Sequence, residues 1–204
     1  MIDFLYLLIA LAVCVSVHEA SHAGMAYLLG DPTAKREGRL TLNPLKHLDP
    51  LGTLMLFIVH FGWGKPVPYN DHNLRHPRRD AALIALAGPL SNLVTALFVS
   101  LLIKYLPSPS FLLHALQAIF SLSIILFLFN LIPIAPLDGS KLVGLIIPHS
   151  YDDFYQRFLA KGPVILIALI ILDRLIGEAA GFSIFSTYLQ YGYEFITVGL
   201  FLIT

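Results

Sequence analysis

Apolar and polar positions divide this chain into long apolar runs separated by polar, turn-rich segments. Residues 4–29, 81–103 and 111–133 are three such runs, and each is interrupted by few charged residues. About 20 consecutive apolar residues are enough to cross the hydrocarbon core of a bilayer as a helix. The pattern therefore predicts three transmembrane helices.

Shorter segments lie between the first and second runs. Residues 51–61 are apolar but reach only about half a span, which favours a re-entrant or interfacial segment. Residues 39–44 alternate between polar and apolar, which is typical of a short strand, and a short membrane-associated β-hairpin is one option there. An ordinary loop explains the same residues equally well.

The C-terminal part is more mixed. Residues 140–162 have an amphipathic pattern suited to a membrane interface, and residues 163–172 are too short to cross unaided, so a half-helix is one interpretation. Residues 182–204 are apolar apart from Gln190 and Glu194. The predicted fold class is an all-α polytopic membrane protein, with a core of three transmembrane helices plus re-entrant or interfacial segments.

Composition agrees with a membrane protein. Hydrophobic residues make up 57% of the 204 and charged residues only 13%, with a mean hydropathy of +0.77, whereas a soluble domain carries about 25% charge. The formal net charge of zero argues against a nucleic-acid partner. The first apolar run is too long for a signal peptide and lacks a basic start, so we expect it to be retained.

The first run contains the most informative residues, His18-Glu19-Ala20-Ser21-His22. Positions i and i+4 lie on one face of a helix, so both imidazoles can bind one metal ion while Glu19 takes a proton from water. Ionisable groups at membrane depth are costly and usually functional. Two buried histidines that are hydrogen-bonded to neighbouring helices are the less favoured alternative.

A catalytic zinc ion needs three protein ligands and an open position. Asp138 is the best candidate for the third ligand because it is anionic and follows a helix break at Pro133 and Pro136, although an ordinary turn would also contain an aspartate there. Asn92, Asn130 and Cys14 are at matching depth, and Cys14 is one helical turn before His18. We therefore predict one zinc ion per chain.

The basic residues predict the orientation in the membrane. Most lysines and arginines lie in residues 31–80 and 138–162, while only Lys104 lies in the turn between the second and third spans. By the positive-inside rule the two basic segments face the cytoplasm. The metal site then lies toward the cytoplasmic side, and the cell membrane is the expected location.

Three motifs in order resemble the site-2 protease family of intramembrane zinc metalloproteases. They are His18-Glu19-x-x-His22, Gly88-Pro89-x-x-Asn92, and Asn130-x-x-Pro133-x-x-Pro136-Leu137-Asp138-Gly139, and the likeness extends over residues 1 to about 150. Residues 42–53 and 64–70 are also similar to loops of the small prokaryotic members, which lack a PDZ or nucleotide-sensing domain.

The resemblance implies a set of roles. His18, His22 and Asp138 would bind zinc, Glu19 would be the general base, Asn130 would contact the substrate carbonyl or the oxyanion, and Asn92 would support the site. Residues 1–150 would form the protease core, and residues 151–204 would add amphipathic and membrane helices without an assigned role.

The resulting functional prediction is an endopeptidase that cleaves a membrane protein within or next to a transmembrane segment. Its partners would be that substrate and the lipid bilayer. A membrane zinc transporter is one alternative, although transport needs several relay sites through the bilayer and the candidate ligands cluster at one depth. An inactive, substrate-holding relative is the other, and the intact Glu19 argues against it.

Overall fold

The structure is a computed structural model that describes residues 2–59, 64–105 and 109–203. Helices dominate this part of the chain, and no strand longer than a single bridge occurs in it. The α-helices are α1 (Ile2–Leu28), α2 (Thr33–Arg36), α3 (Pro50–Val59), α4 (Pro77–Tyr105), α5 (Ser110–Asn130), α6 (Gly139–Ile146), α7 (Asp152–Ala180) and α8 (Ile184–Ile203).

Three of these helices are long and apolar enough to cross a membrane. They comprise Asp3–Leu28 in α1, all of α4 and all of α5. They correspond to the three apolar runs of the sequence, so the predicted all-α membrane fold with three spans is confirmed. The helix α4 begins a few residues before its apolar run, because polar residues such as Arg78 and Asp80 join its first turn.

The three spans pack directly against one another. Ala10 and Cys14 of α1, Ala96 of α4 and Ile124 of α5 are fully buried where they meet. Small residues let helix backbones approach closely, which matters in lipid because the surrounding chains are as apolar as the side chains. This packing brings the second half of α1 against the first half of α4.

A buried carboxylate organises the loop between α1 and α4. Asp31 is fully buried and accepts hydrogen bonds from Thr33 Oγ1 at 2.6 Å, from the Asn70 backbone N–H at 2.7 Å and from Asn73 Nδ2 at 2.7 Å. Burial alone would raise the pKa of Asp31, but these bonds and the Thr33 N–H outweigh it and lower the pKa. Asp31 thereby ties the end of the loop to its beginning.

The strand predicted at residues 39–44 is wrong, and the loop alternative describes these residues. The Thr41 N–H donates to the Arg39 carbonyl at 3.0 Å, the Thr41 carbonyl lies 2.7 Å from His47 Nε2, and a 3₁₀ helix begins at Pro44. Local side-chain and turn hydrogen bonds satisfy the backbone here in place of a strand partner. One isolated antiparallel bridge joins Leu48 to Gly64, and no hairpin forms among the described residues.

The half-span segment is the helix α3, which has 10 residues. At about 1.5 Å per residue it is far too short to cross a bilayer, which agrees with a re-entrant or interfacial segment. The end of the predicted segment, residues 60 and 61, and the start of the following loop, residues 62 and 63, lie outside the described residues.

The half-helix interpretation of residues 163–172 is wrong, because α7 is one continuous helix of 29 residues that passes through Pro163. A proline removes one hydrogen bond of the helical ladder and crowds the carbonyl four residues earlier, and α7 accommodates Pro163 without ending. The residues predicted as one amphipathic segment are divided between α6 and the start of α7. Asp173 of α7 then caps α8 by accepting from the Ser183 hydroxyl and the Ile184 N–H, both at 2.6 Å.

We predict that Asp31→Asn destabilises the fold, because an amide NH₂ cannot accept the bonds that the carboxylate accepts. Hydrogen bonds to a charged group contribute about 1.5–3 kcal/mol each, so a loss of about 2–4 kcal/mol is expected. Thermal unfolding in detergent would measure it, with the exposed Asp153→Asn as a matched control.

The lowered pKa of Asp31 also determines how its contribution to the stability of the fold changes with pH. The stabilisation is complete above the ordinary aspartate pKa of about 3.9 and is lost as the pH falls through the lower folded value. Equal melting temperatures for wild type and Asp31→Asn at neutral pH would contradict this account.

Candidate metal centre

The helix α1 carries three ionisable side chains, His18, Glu19 and His22, on two adjacent turns. His18 and His22 are each only 7% exposed, and their Nε2 atoms lie 3.0 Å apart. This is the geometry that the i, i+4 spacing predicts for one helical face. Both imidazoles therefore point at one place.

Asp138 reaches the same place from another part of the chain. It is the last residue of the turn that links α5 to α6, and its Oδ2 lies 3.1 Å from His18 Nε2 and 3.4 Å from His22 Nε2. One donor atom from each of the three residues lies within 4.8 Å of the other two. Among the described residues, no other group of three or more histidines, cysteines or acids meets this condition.

Hydrogen bonds on the far side of the imidazoles determine which nitrogen faces the cluster. His22 Nδ1 lies 2.6 Å from the Ile84 carbonyl of α4. A carbonyl only accepts, so Nδ1 carries the proton and Nε2 presents a lone pair. Such outer hydrogen bonds commonly orient histidines that bind metals.

Asn92 of α4 contacts the Nδ1 atom of His18, as the Ile84 carbonyl does for His22. Its side-chain amide is fully buried and lies 3.2 Å from His18 Nδ1, while its Oδ1 has no hydrogen-bond partner in the described part of the chain. If the Asn92 side-chain amide is flipped by 180°, its Oδ1 accepts a hydrogen bond from the Nδ1–H of His18, and both atoms then have a partner. His18 Nε2 is then free to bind a metal ion.

The cluster as it stands needs a cation. Asp138 Oδ2 is buried and finds no hydrogen-bond donor among the described residues, since the two nitrogens beside it present lone pairs. Two imidazoles and a carboxylate are a ligand set that catalytic zinc uses. The residues present therefore fit zinc.

Gly88 of α4 makes room for the two imidazoles. A Cβ atom at this position would lie 2.4 Å from His22 Nε2 and 2.7 Å from His18 Cε1, closer than real Cβ contacts allow. The rings are thus packed against the backbone of α4. The Gly88-Pro89 pair in the sequence was the only signal of this contact, and sequence reasoning did not assign it a role.

A cavity of about 490 Å³ opens beside the cluster. Glu19 and Asn130 both line it. Glu19 is half-buried and forms no ion pair with any described residue, so its carboxylate is available to water in the cavity. Asn130 ends α5 and donates from Nδ2 to the Leu126 carbonyl one turn earlier at 3.0 Å. The two predicted residues therefore share a space with His18, His22 and Asp138.

Several cavity-lining residues were missed by sequence reasoning. Gly64, Val67 and Tyr69 come from the loop before α4, Lys141 comes from α6, and Leu166 comes from α7. Residues 64–70 were noted only as similar to family loops and received no role at the site, and no sequence pattern singled out Lys141 or Leu166. Asn92 does not line the cavity, so its place is behind His18 and not beside a substrate.

The remaining candidate ligand from the sequence lies elsewhere. Cys14 is fully buried on α1, and its thiol lies 3.2 Å from Ser123 Oγ and 3.5 Å from the Ile119 carbonyl, so it points toward α5.

The fold and the site together define a class of protein. Two buried imidazoles and a carboxylate converge within a bundle of membrane-spanning helices, and a free carboxylate lies beside them in a cavity. This is the arrangement of a metal-dependent hydrolase built into a membrane protein.

Comparison with known proteins gives the family. The family model described as "Peptidase family M50" matches residues 108–171, a range that includes Asn130 and Asp138. A Bacillus subtilis protein named "Putative zinc metalloprotease YwhC" is 42% identical over 175 residues, covering 81% of this chain and 80% of its own length. A Mycolicibacterium smegmatis protein named "Putative zinc metalloprotease Rip2" is 33% identical over 174 residues, covering 78% of this chain and 64% of its own length.

The chain belongs to peptidase family M50, the site-2 protease family that its motifs indicated. It is an integral membrane protease with three candidate spans, and the predicted zinc cofactor agrees with the names of these relatives. No solved structure matches the chain.

We predict that Gly88→Ala weakens zinc binding, because the added methyl group must displace the His18 and His22 rings. Changes that reorient metal ligands typically cost about 10–100-fold in affinity. Zinc content after dialysis against graded chelator would measure the loss. Gly24→Ala on α1 is the matched control, since its nearest neighbour would be Leu40 Cδ1 at an ordinary 3.7 Å. Equal zinc retention by the two variants would contradict the tight packing at Gly88.

Proposed function

We propose that this member of family M50 is a zinc-dependent intramembrane endopeptidase, which cleaves a membrane protein within or next to a transmembrane segment. One observation carries the proposal: His18, His22 and Asp138 converge within 4.8 Å, beside a cavity that Glu19 also lines. His18, Glu19 and His22 lie on α1, which is long and apolar enough to cross a membrane. Peptide hydrolysis at this depth requires a substrate that is itself in the membrane.

His18, His22 and Asp138 would hold the zinc ion. When bound there, zinc supplies Lewis-acid chemistry, which lowers the pKa of water to about 7 and polarises a peptide carbonyl. Glu19 accepts the proton of the attacking water and then delivers it to the leaving amine. Its half-buried carboxylate forms no ion pair with any described residue, which leaves it able to act as this base.

Asn130 and Asn92 would have different tasks. Asn130 lines the cavity, so its amide can donate to the substrate carbonyl or to the oxyanion that develops there. Asn92 contacts His18 Nδ1 and is fully buried, so it orients a ligand and does not touch the substrate.

The peptide must be extended at the cleaved bond, because a helix hides its carbonyls in hydrogen bonds. The segment 64–69 is a better docking element for it than residues 39–44, which do not line the cavity. The segment is not helical, and its Gly64 lies beside the catalytic carboxylate, with an added Cβ 3.7 Å from Glu19 Oε1. A substrate strand laid along this segment would gain main-chain hydrogen bonds.

Residues 1–150 would then supply the chemistry, and residues 151–204 would complete the cavity. Leu166 of α7 is 2% exposed and lines the cavity, and Gly162 lets α7 approach Ala135 in the turn before Asp138. The basic loop between α1 and α4 orients the active site toward the cytoplasmic side of the cell membrane.

A transporter has less support than a protease. Transport needs relay sites at several depths, and the described residues hold one metal-binding cluster. An inactive, substrate-holding relative has no need of Glu19 or of an open cavity beside it. Activity of reconstituted protein distinguishes all three functions.

We expect Glu19→Gln to keep its zinc and lose proteolysis, because the amide cannot accept a proton while the three ligands are untouched. Loss of a general base typically costs about 10²–10⁴ in rate. Cleavage of candidate membrane proteins by the purified enzyme in liposomes would measure this.

The exposed Glu37→Gln is the control for the same chemical change away from the site. A zinc-replete Glu19→Gln enzyme that cleaves at the wild-type rate would show that Glu19 is not the base. Uptake of zinc into the liposomes without cleavage would favour the transporter.

Asn130→Ala and Asn92→Ala should differ in what they lose. Without an oxyanion donor, Asn130→Ala should turn over about 10²–10³-fold more slowly with zinc and melting temperature retained. Asn92→Ala should instead bind zinc more weakly, since His18 loses its orienting partner. An Asn130→Ala enzyme with a normal rate and a lowered melting temperature would assign this residue to helix packing.

A further inference from the structure

Lys141 is a cation in the wall of the active-site cavity that the proposed chemistry does not use. It lies on α6 three residues after Asp138, and residues at i and i+3 of a helix share a face. Asp138 has helical backbone angles (φ −58°, ψ −36°), so this relation holds although α6 begins one residue later. Asp138 and Lys141 consequently face the same cavity.

In the part of the chain that the structure describes, no carboxylate forms an ion pair with Lys141. The acids that share its cavity, Glu19 and Asp138, are both committed to the metal chemistry. A lysine that is half-buried in a cavity and has no ion-pair partner is a candidate group for binding an anion.

Tyr69 lines the same cavity and lies near the lysine. The Lys141 Nζ lies 6.0 Å from the centre of the Tyr69 ring, at the outer limit of a cation–π contact. Burial raises the pKa of Tyr69 to about 12, and Asp71 and Asp138 add to the shift. The phenol therefore stays neutral at working pH and leaves the lysine charge uncompensated.

We infer that Lys141 forms a specificity subsite that binds an acidic side chain of the substrate close to the cleaved bond. The inference rests on the proposed function and names one feature of its substrates. Cβ atoms three residues apart on a helix are about 5–6 Å apart, and an extended peptide advances about 3.3 Å per residue. An aspartate or glutamate within about three residues of the cleaved bond can therefore meet the ammonium group.

A library of leucine–alanine transmembrane peptides with randomised central positions tests this inference. Zinc-loaded enzyme in uncharged detergent micelles would cleave the library, and mass spectrometry would read the residues around each cut. Wild type should select Asp or Glu within three residues of the cut. For a single pair of peptides, Asp should be favoured over Asn by about 10–100-fold in kcat/KM.

Three variants sharpen the test. Lys141→Met should lose the acidic selection, and Lys141→Glu should select Lys or Arg instead. Lys161→Glu makes the same change of charge at an exposed position of α7 and should keep the wild-type profile. Zinc content and melting temperature should be equal in all four proteins.

The outcomes separate the inference from the function on which it depends. Cleavage without acidic selection, or selection that Lys141→Glu leaves unchanged, would overturn the subsite and leave the protease intact. Selection that appears only when anionic lipid is added would also overturn it, because the lysine would then interact with lipid headgroups and not with the substrate. If zinc-loaded wild type cleaves no peptide of the library, the proposed function fails and the subsite with it.

Discussion

The rest of this structure depends on holding two imidazoles and two carboxylates together inside a bundle of apolar helices. Ionisable groups at membrane depth are expensive, and each must have a partner or a cation to remain there. His18, His22 and Asp138 meet this requirement by facing one another at 3.0–3.4 Å, with a bare carboxylate oxygen between two nitrogens. A metal ion at this point would give all three groups a partner, and the neighbouring elements position the groups for it.

The helix α4 provides the contacts that hold the two imidazoles in place. It presents Gly88 where the imidazoles press against its backbone, the Ile84 carbonyl where His22 needs an acceptor, and Asn92 where His18 needs one. These contacts lie at intervals of four residues, so they recur on one face of α4. The helix α1 supplies the two histidine ligands, and α4 determines their orientation. The long polar loop between the two helices, tied together at Asp31, keeps them in this register.

Much of this could be predicted from the sequence, because it follows from periodicity. Three apolar runs predicted three spans, and the i, i+4 spacing of His18 and His22 predicted two rings on one face. Asp138 is more than a hundred residues away along the chain, so its place in the cluster followed from its chemistry and from a motif. The strand prediction at residues 39–44 failed because local hydrogen bonds replaced strand pairing. The half-helix interpretation of residues 163–172 failed because α7 continues beyond this apolar stretch at both ends. Lys141 and Leu166 could not be foreseen, since tertiary packing alone brings them to the cavity.

The central claim is that one zinc ion is bound by His18, His22 and Asp138, and X-ray absorption at the zinc edge of the purified protein tests it most directly. The account predicts a first shell of nitrogen and oxygen only, at about 2.0–2.2 Å, with the outer-ring scattering of two imidazoles. The Asp138→Ala variant should lose occupancy or one oxygen from this shell, and Cys14→Ala should give the wild-type spectrum. A sulfur neighbour at about 2.3 Å that disappears in Cys14→Ala, or a shell with no imidazole scattering, would contradict the account.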